Sequence, residues 1–116
     1  HQVDAVLDRP LQQAIKRMRL YNVSQMVVLG AGGAVEGIID ESDVLLAMVD
    51  DSKGSATRPV SDFMTRRIET LRPSARVTDL LPIFRADRVA IVADEKHFYG
   101  LITKIDLINY LRKQLL

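Results

Sequence analysis

The spacing of apolar residues along the chain alternates between two periods, which predicts helices interleaved with strands. Residues 2–7 are predicted to form a short strand or an extended entry to the fold. The next apolar positions recur on one helical face: Leu11, Ala14, Ile15 and Met18. This helix is predicted to begin at 8–10, because Asp suits a cap and Pro is tolerated in the first turn. Largely apolar stretches at 25–29 and 34–39 predict two strands.

Three glycines, at positions 30, 32 and 33, lie between these two strands. A dinucleotide-binding loop needs a helix directly after its glycines, so that the helix N-terminus meets the phosphates. Here a strand follows the glycines, and we therefore predict a hairpin.

The second half of the chain repeats this order of elements. In sequence, we predict a helical turn at 60–65, an extended segment at 67–71, a helix capped by Thr78, and strands at 89–93 and 98–102. The buried side of that helix is predicted to consist of Leu80, Leu81 and Phe84. We expect Phe63 and Met64 to anchor the helical turn to the core.

A short motif occurs once in each half: Gly37-Ile38-Ile39-Asp40 followed by Asp43, and Gly100-Leu101-Ile102-Thr103 followed by Asp106. In each copy a strand ends at a capping residue, and a carboxylate lies three positions on, which is the spacing of a capping box. Apolar residues then continue at helical spacing: Val44, Leu45, Met48 and Val49, and in the second half Leu107, Ile108, Leu111 and Leu115. The chain is therefore predicted to be a duplicated unit.

We predict a first repeat at 1–50, a linker at 51–59 and a second repeat at 60–116. The second repeat includes the lead-in at 60–65, whose counterpart in the first repeat would precede His1. The first repeat is thus expected to be truncated at its N-terminus, in a piece of a longer protein.

Composition narrows the classes of function. The 16 basic and 15 acidic side chains are interspersed and give a net charge of +1, which argues against a nucleic-acid partner. The chain contains no cysteine, which excludes disulfides and suits a reducing compartment, so we expect a cytoplasmic location. The longest apolar stretch, 26–35, is too short to span a bilayer, and no membrane partner is expected.

The sequence contains no recognisable set of catalytic or metal-binding residues. Two histidines without a carboxylate or cysteine cluster predict no metal site, and His97 is interpreted as a turn residue. No serine lies beside a base in the predicted elements, so we assign no catalytic residue.

The tandem β-α-β-β-α order, with a Gly-apolar-apolar-x-x-x-Asp motif at each final helix, resembles a pair of CBS domains, the Bateman module. The Thr/Ser position of the family motif is met by Thr103 in the second copy and is replaced by Asp40 in the first. The resemblance covers nearly the whole chain, and residues 98–111 are similar to the C-terminal regulatory region of cystathionine β-synthases. It implies an α/β fold of two CBS repeats related by a pseudo-twofold axis. It also implies a non-catalytic regulatory module linked to an upstream enzyme domain that uses pyridoxal phosphate.

The resemblance further implies an adenosyl ligand, such as S-adenosylmethionine, AMP or ATP, with the motif Asp at the ribose hydroxyls. The residues implied for the main cleft are Thr103, Asp106, Ile105, Leu101, Tyr99, Asn22, Val23, Ser24 and Gln25. A second, weaker cleft is implied at Asp43, Asp40, Arg67, Ile68 and Thr70. In such modules each cleft includes the lead-in strand of the other half, which would bring Arg66 and Arg67 to the second cleft.

Charge favours S-adenosylmethionine among these ligands, because the motif helices begin with carboxylates and no dense basic cluster is present. AMP is the alternative, since Lys104, Arg66 and Arg67 can serve a single phosphate. No resident cofactor is expected. Adjacent apolar residues in the motif helices, at 45–46 and 107–108, predict exposed patches and a homodimer. The alternative function is a purely structural dimerisation module, because a capping box stabilises a helix without any ligand.

Overall fold

Two three-stranded sheets with flanking helices make up the fold. The computed structural model describes residues 3–50 and 54–115, which divide into a first unit, Val3–Ile68, and a second unit that begins at Glu69. The α/β class predicted from the sequence is confirmed. Residue 2 of the predicted first strand, 51–53 of the predicted linker and Leu116 lie outside the described residues.

The first unit contains strands β1 (Asp4–Val6), β2 (Gln25–Leu29) and β3 (Val35–Asp40), in that order in the sheet. β1 pairs with β2 in parallel, and β2 pairs with β3 antiparallel. A short 3-10 turn at Ala31–Gly33 joins β2 to β3, which confirms the predicted hairpin. The β2 side chains Met26, Val27 and Val28 are fully buried, because this central strand is covered on both faces.

Helix α1 (Leu11–Tyr21) begins differently from the prediction. Its N-cap is Pro10, which forms no side-chain cap, and Asp8 does not cap the helix. The backbone N–H of Leu11 instead donates to the carbonyl of Arg58, 2.8 Å away. A neighbouring chain segment therefore satisfies a helix donor that the sequence pattern assigned to an aspartate.

The segment at 54–68 folds as part of the first unit. Val60 is 1% exposed and begins a 3-10 turn, Val60–Asp62, while Phe63 and Met64 pack against the same core, as predicted. In the described part of the predicted linker, a second 3-10 turn at Ser55–Thr57 follows Gly54. The two compact units thus divide after Ile68, whereas the predicted repeats divide after residue 59.

The second unit contains strands β4 (Thr70–Leu71), β5 (Ala90–Ala93) and β6 (Phe98–Ile102), again in chain order. β4 is parallel to β5, and β5 is antiparallel to β6, as in the first unit. Helix α3 (Leu80–Arg85) precedes β5. In each unit the last strand is followed by the motif helix, which is α2 (Glu41–Val49) in the first unit and α4 (Lys104–Leu115) in the second.

The prediction that Thr78 caps α3 is wrong. Thr78 lies inside a 3-10 turn, Val77–Asp79, where the Asp79 carboxylate accepts a hydrogen bond from the Arg76 N–H at 2.9 Å. This extra turn changes which side chains face the core. Ile83 is buried together with Leu80, whereas Leu81, predicted to be buried, is 42% exposed.

The first helix of each unit ends in the same left-handed turn. Asn22 follows α1 with φ 53°, and Asp87 follows α3 with φ 59°. The N–H of each donates to the carbonyl three residues before it, at Arg19 and Phe84 respectively. Asparagine and aspartate tolerate this conformation better than most other non-glycine residues. The duplication is therefore visible in backbone geometry where the sequences differ.

Candidate functional site

The two motif turns form the capping boxes that their spacing predicts. At α2, the Asp40 N–H donates to Asp43 Oδ2 at 3.0 Å, and the Asp43 N–H donates to Asp40 Oδ1 at 3.1 Å. At α4, the Thr103 N–H donates to Asp106 Oδ2 at 2.8 Å, and the Asp106 N–H donates to Thr103 Oγ1 at 3.3 Å. Each box satisfies two backbone donors that a helix N-terminus otherwise leaves unpaired.

The Asp106 carboxylate uses only one of its oxygens in this box. Thr103 Oγ1 also donates to Asp106 Oδ2, at 2.9 Å, so both bonds from Thr103 end on the same oxygen. Asp106 is exposed, and its Oδ1 has no hydrogen-bond partner within residues 3–50 and 54–115. A charged acceptor is therefore held in place by the helix cap while one oxygen remains available.

The equivalent carboxylate of the first unit has a different environment. Asp43 is half-buried, and burial raises the pKa of its carboxyl group above the ordinary value. The nearby negative charge of Asp40 also raises this pKa, whereas the hydrogen bond from the Asp40 N–H lowers it. The two motif sites are thus similar in backbone geometry and unequal in electrostatics.

Thr65, which the sequence assigned to the second repeat, pairs with the edge of the first sheet. The Ile38 N–H donates to the Thr65 carbonyl at 3.0 Å, and the Thr65 N–H donates to the Ile38 carbonyl at 2.8 Å. Gly37 makes this approach possible, because a Cβ there would lie 2.6 Å from the Thr65 oxygen. Arg66 and Arg67 follow this pairing directly and are exposed. Neither forms an ion pair with any residue that the structure describes.

Lys104, the first residue of α4, is not free. Its Nζ lies 2.7 Å from Asp87 Oδ1, and this hydrogen bond and charge hold the pKa of the Asp87 carboxyl group below its ordinary value. Sequence reasoning assigned no role to Asp87. The signal was present, because Asp87 lies three residues before β5 as Asn22 lies three residues before β2.

Tyr99 is held at the far end of β6 from Thr103. Its hydroxyl donates to Asp94 Oδ2 at 2.6 Å, in the turn that joins β5 to β6. Hydrogen bonds from Tyr99 and then from the Lys96 N–H lower the pKa of Asp94 to about 2. The His97 N–H donates to the same carboxylate at 2.8 Å, which places His97 in the predicted turn. The Tyr99 hydroxyl is therefore already occupied in the structure.

The other predicted site residues are distributed over both units. Leu101 is half-buried in β6, and Ile105 is 59% exposed in the first turn of α4. Asp40, Asp43, Arg67 and Ile68 belong to the first unit, whereas Thr70 lies in β4 of the second.

Residues 22–25 adjoin the motif of their own unit. Gln25 is the sheet partner of Asp40, and the Ser24 carbonyl accepts from the Glu41 N–H at 3.0 Å. Val23, packed against the first core, continues the turn at Asn22. The assignment of these residues to the Thr103 cleft stays a prediction.

The arrangement of the acidic and histidine side chains and the length of the helices bear on the predicted partners. Among the described residues, no group of three or more His, Cys, Asp or Glu side chains is arranged to hold a metal ion. Over the same residues, every helix is too short or too polar to cross a bilayer.

A family model described as the CBS domain matches the chain twice, over residues 6–50 and 60–113. Among known proteins, the chain is 28% identical over 100 residues to an uncharacterized 17.7 kDa protein in the bps2 3′ region of Acidianus ambivalens. That match covers 84% of this chain and 59% of the other protein.

The chain is also 29% identical over 105 residues to the inosine-5′-monophosphate dehydrogenase of Nitrosopumilus maritimus. That match covers 88% of this chain and 21% of the enzyme, so the chain spans less than two-thirds of either relative. Among solved structures, CBSX2 in complex with AMP superposes with a TM-score of 0.82 at 15% identity. The superposition covers 99% of this chain and 90% of that one, which establishes a shared fold.

Proposed function

The chain belongs to the CBS domain family, with two copies of the domain, and on that premise we propose that it is a regulatory module that binds an adenosyl compound. The main site of this proposal is the Thr103 motif at the start of α4. The two CBS domains are themselves non-catalytic, so the expected effect of the ligand is on a linked or associated protein.

The observation that supports this site best is the unused oxygen of Asp106. Adjacent ribose hydroxyls are two donors, and a carboxylate that is already oriented can accept from them without losing side-chain freedom on binding. Thr103 supplies that orientation through its two bonds to Oδ2. In this proposal Leu101 and Ile105 contact the adenine. The inclusion of Tyr99 and residues 22–25 in the same cleft stays a prediction that rests on the family resemblance.

A second, weaker site is proposed at the start of α2, with Asp40, Asp43, Arg67, Ile68 and Thr70. Its carboxylate is less suited to ribose, because burial raises the pKa of Asp43 and so disfavours the charged form. Aspartate also replaces threonine at position 40, which adds negative charge where a phosphate would lie. Arg66 and Arg67 offset part of that charge.

We propose S-adenosylmethionine or AMP as the ligand class. The complex of CBSX2 with AMP supports an adenosyl ligand on this fold, at 15% identity. The carboxylates at both motif helices favour the sulfonium of S-adenosylmethionine, as argued from the sequence. An upstream cystathionine β-synthase-like enzyme, dependent on pyridoxal phosphate, and a cytoplasmic location stay predictions. The two relatives reported above include a dehydrogenase and no cystathionine β-synthase.

A thermal-shift screen separates this function from that of a purely structural module. A ligand at about 100 times its Kd stabilises the folded state by about 2.7 kcal/mol. For a chain of this size we expect a Tm increase on the order of 10 °C with S-adenosylmethionine or AMP. Cytidine monophosphate, which has the ribose and phosphate without adenine, is the control. An unchanged Tm with every adenosyl compound would support the structural alternative.

We also propose that the module is a homodimer formed through its motif helices. On α2 the exposed apolar residues are Leu45, Leu46, Met48 and Val49, each at least 59% exposed. On α4 they include Ile105, Ile108 and Leu115. Apolar surface of this kind commonly meets a partner, and an isologous dimer is the most frequent arrangement.

Light scattering is expected to give twice the 13.0 kDa mass of one chain. The double substitution Leu45→Glu and Met48→Glu is expected to shift the particle to the single-chain mass, because charge disfavours burial at an interface. Val77→Glu is the control, since Val77 is 41% exposed in a 3-10 turn outside both motif helices. A wild-type protein that stays at the single-chain mass at high concentration contradicts the proposal.

A further inference from the structure

The ion pair between Asp87 and Lys104 joins the end of α3 to the first residue of the motif helix. Lys104 Nζ and Asp87 Oδ1 are 2.7 Å apart. Both side chains are in solvent, with 89% of Asp87 and 54% of Lys104 exposed. Lys104 directly follows Thr103, so this pair is the charged group next to the site proposed for the adenosyl ligand.

The turn at residue 87 does not require a carboxylate. Asn22 occupies the equivalent position in the first unit, with φ 53° against 59° and the same pattern of backbone hydrogen bonds. An amide therefore suffices for this left-handed turn in the chain itself. The negative charge at this turn is therefore present in the second unit and absent from the equivalent turn of the first. In the second unit it pairs with Lys104.

A phosphate at this site would compete with Asp87 for one ammonium group. Phosphate oxygens near the start of α4 are attracted by the charge of Lys104, which is already neutralised by a carboxylate. The Asp87 charge also repels the phosphate directly. Neither the competition for Lys104 nor the repulsion by Asp87 affects the binding of an uncharged nucleoside.

We propose that Asp87 is a specificity residue that lowers the preference of the Thr103 site for phosphate-bearing over phosphate-free adenosyl ligands. This inference rests on the proposed function, since it concerns the ligand class of the same site. Asp87 is expected to change the ratio of the AMP affinity to the adenosine affinity. A purely structural ion pair would leave this ratio unchanged.

The test measures Kd for AMP and for adenosine by calorimetry, on the full chain and on Asp87→Asn. Because exposed ion pairs are weak, we expect AMP to bind about two- to fivefold more tightly to Asp87→Asn, with adenosine unchanged. The gain should shrink at high salt, where exposed charges are screened. Asp87→Asn should fold normally, since Asn22 shows that asparagine fits the turn.

Two variants control for other causes. Glu69→Gln removes the same charge from another exposed ion pair of the second unit, with Arg88 at 3.4 Å, and should alter neither affinity. Adding Lys104→Gln to Asp87→Asn should abolish the gain for AMP. An unchanged ratio of AMP to adenosine affinity overturns the role of Asp87 and leaves the proposed function intact. If neither ligand binds to either protein, the role of Asp87 is overturned, and the proposed function is overturned as well only when S-adenosylmethionine also fails to bind.

Discussion

Asp106→Ala is expected to weaken binding of the adenosyl ligand at least about tenfold. Hydrogen bonds to a charged acceptor contribute about 1.5–3 kcal/mol, and about 1.4 kcal/mol corresponds to a tenfold change in Kd. The effect is expected to be large because the Thr103 bonds preorganise the carboxylate. Calorimetry with AMP and with S-adenosylmethionine measures it and also decides which of the two binds more tightly.

The same substitution removes a helix cap, and a second variant separates the two roles. Asp79→Ala removes a carboxylate that caps the Arg76 N–H at 2.9 Å, in the same unit and outside the motif. Each variant should lose about 1 kcal/mol of stability as a cap is lost. Only Asp106→Ala should lose affinity. Equal affinity in both variants and wild type would show that Asp106 acts only as a cap.

Gly37→Ala is expected to destabilise the first unit by about 1–3 kcal/mol, the usual cost of overpacking. The added Cβ would lie 2.6 Å from the Thr65 carbonyl oxygen and 3.0 Å from Met64 Sδ. The methionine side chain can move, but the oxygen belongs to the backbone that pairs with Ile38. Relief of the overlap therefore requires displacement of the segment at 60–68.

Chemical denaturation and amide hydrogen exchange together measure this effect. The Ile38 and Thr65 amides, which form the pairing, should lose protection in Gly37→Ala more than amides in β2. Gly32→Asn is the control, because position 32 has φ 77°, which asparagine tolerates. Apart from the two chain neighbours, no atom of the described residues lies within 4 Å of an added Cβ there. Wild-type stability and protection in Gly37→Ala would contradict tight packing of the segment on β3.

The capping boxes show how one residue can serve both stability and binding. In the α4 box both bonds from Thr103 end on Oδ2, so Oδ1 is positioned without being used. In the α2 box the carboxylate is half-buried beside a second aspartate. Duplicated sequence thus produces equal backbone caps, whereas the ligand preferences we propose depend on side chains that differ between the halves.

Local chemistry in the sequence was enough to predict the hairpins and the motif boxes. The ends of β6 and of β2 coincide with their predictions, because apolar runs bounded by turn residues specify strands locally. The boxes at Asp40 and Thr103 follow from residues three positions apart, whose side chains and backbone must meet once a helix forms. The family resemblance rests on the same two boxes and strands.

Tertiary structure decided the contacts between residues that are distant along the chain. The α1 N-terminus binds the Arg58 carbonyl in place of the predicted Asp8 cap, and the Ile38–Thr65 pairing closes the first sheet. Lys104, expected to be available for a phosphate, is paired with Asp87. Periodicity and capping rules describe neighbours within a few residues, whereas these contacts depend on how separate elements pack. Which charges at each motif helix are already neutralised was therefore set by the folded chain alone.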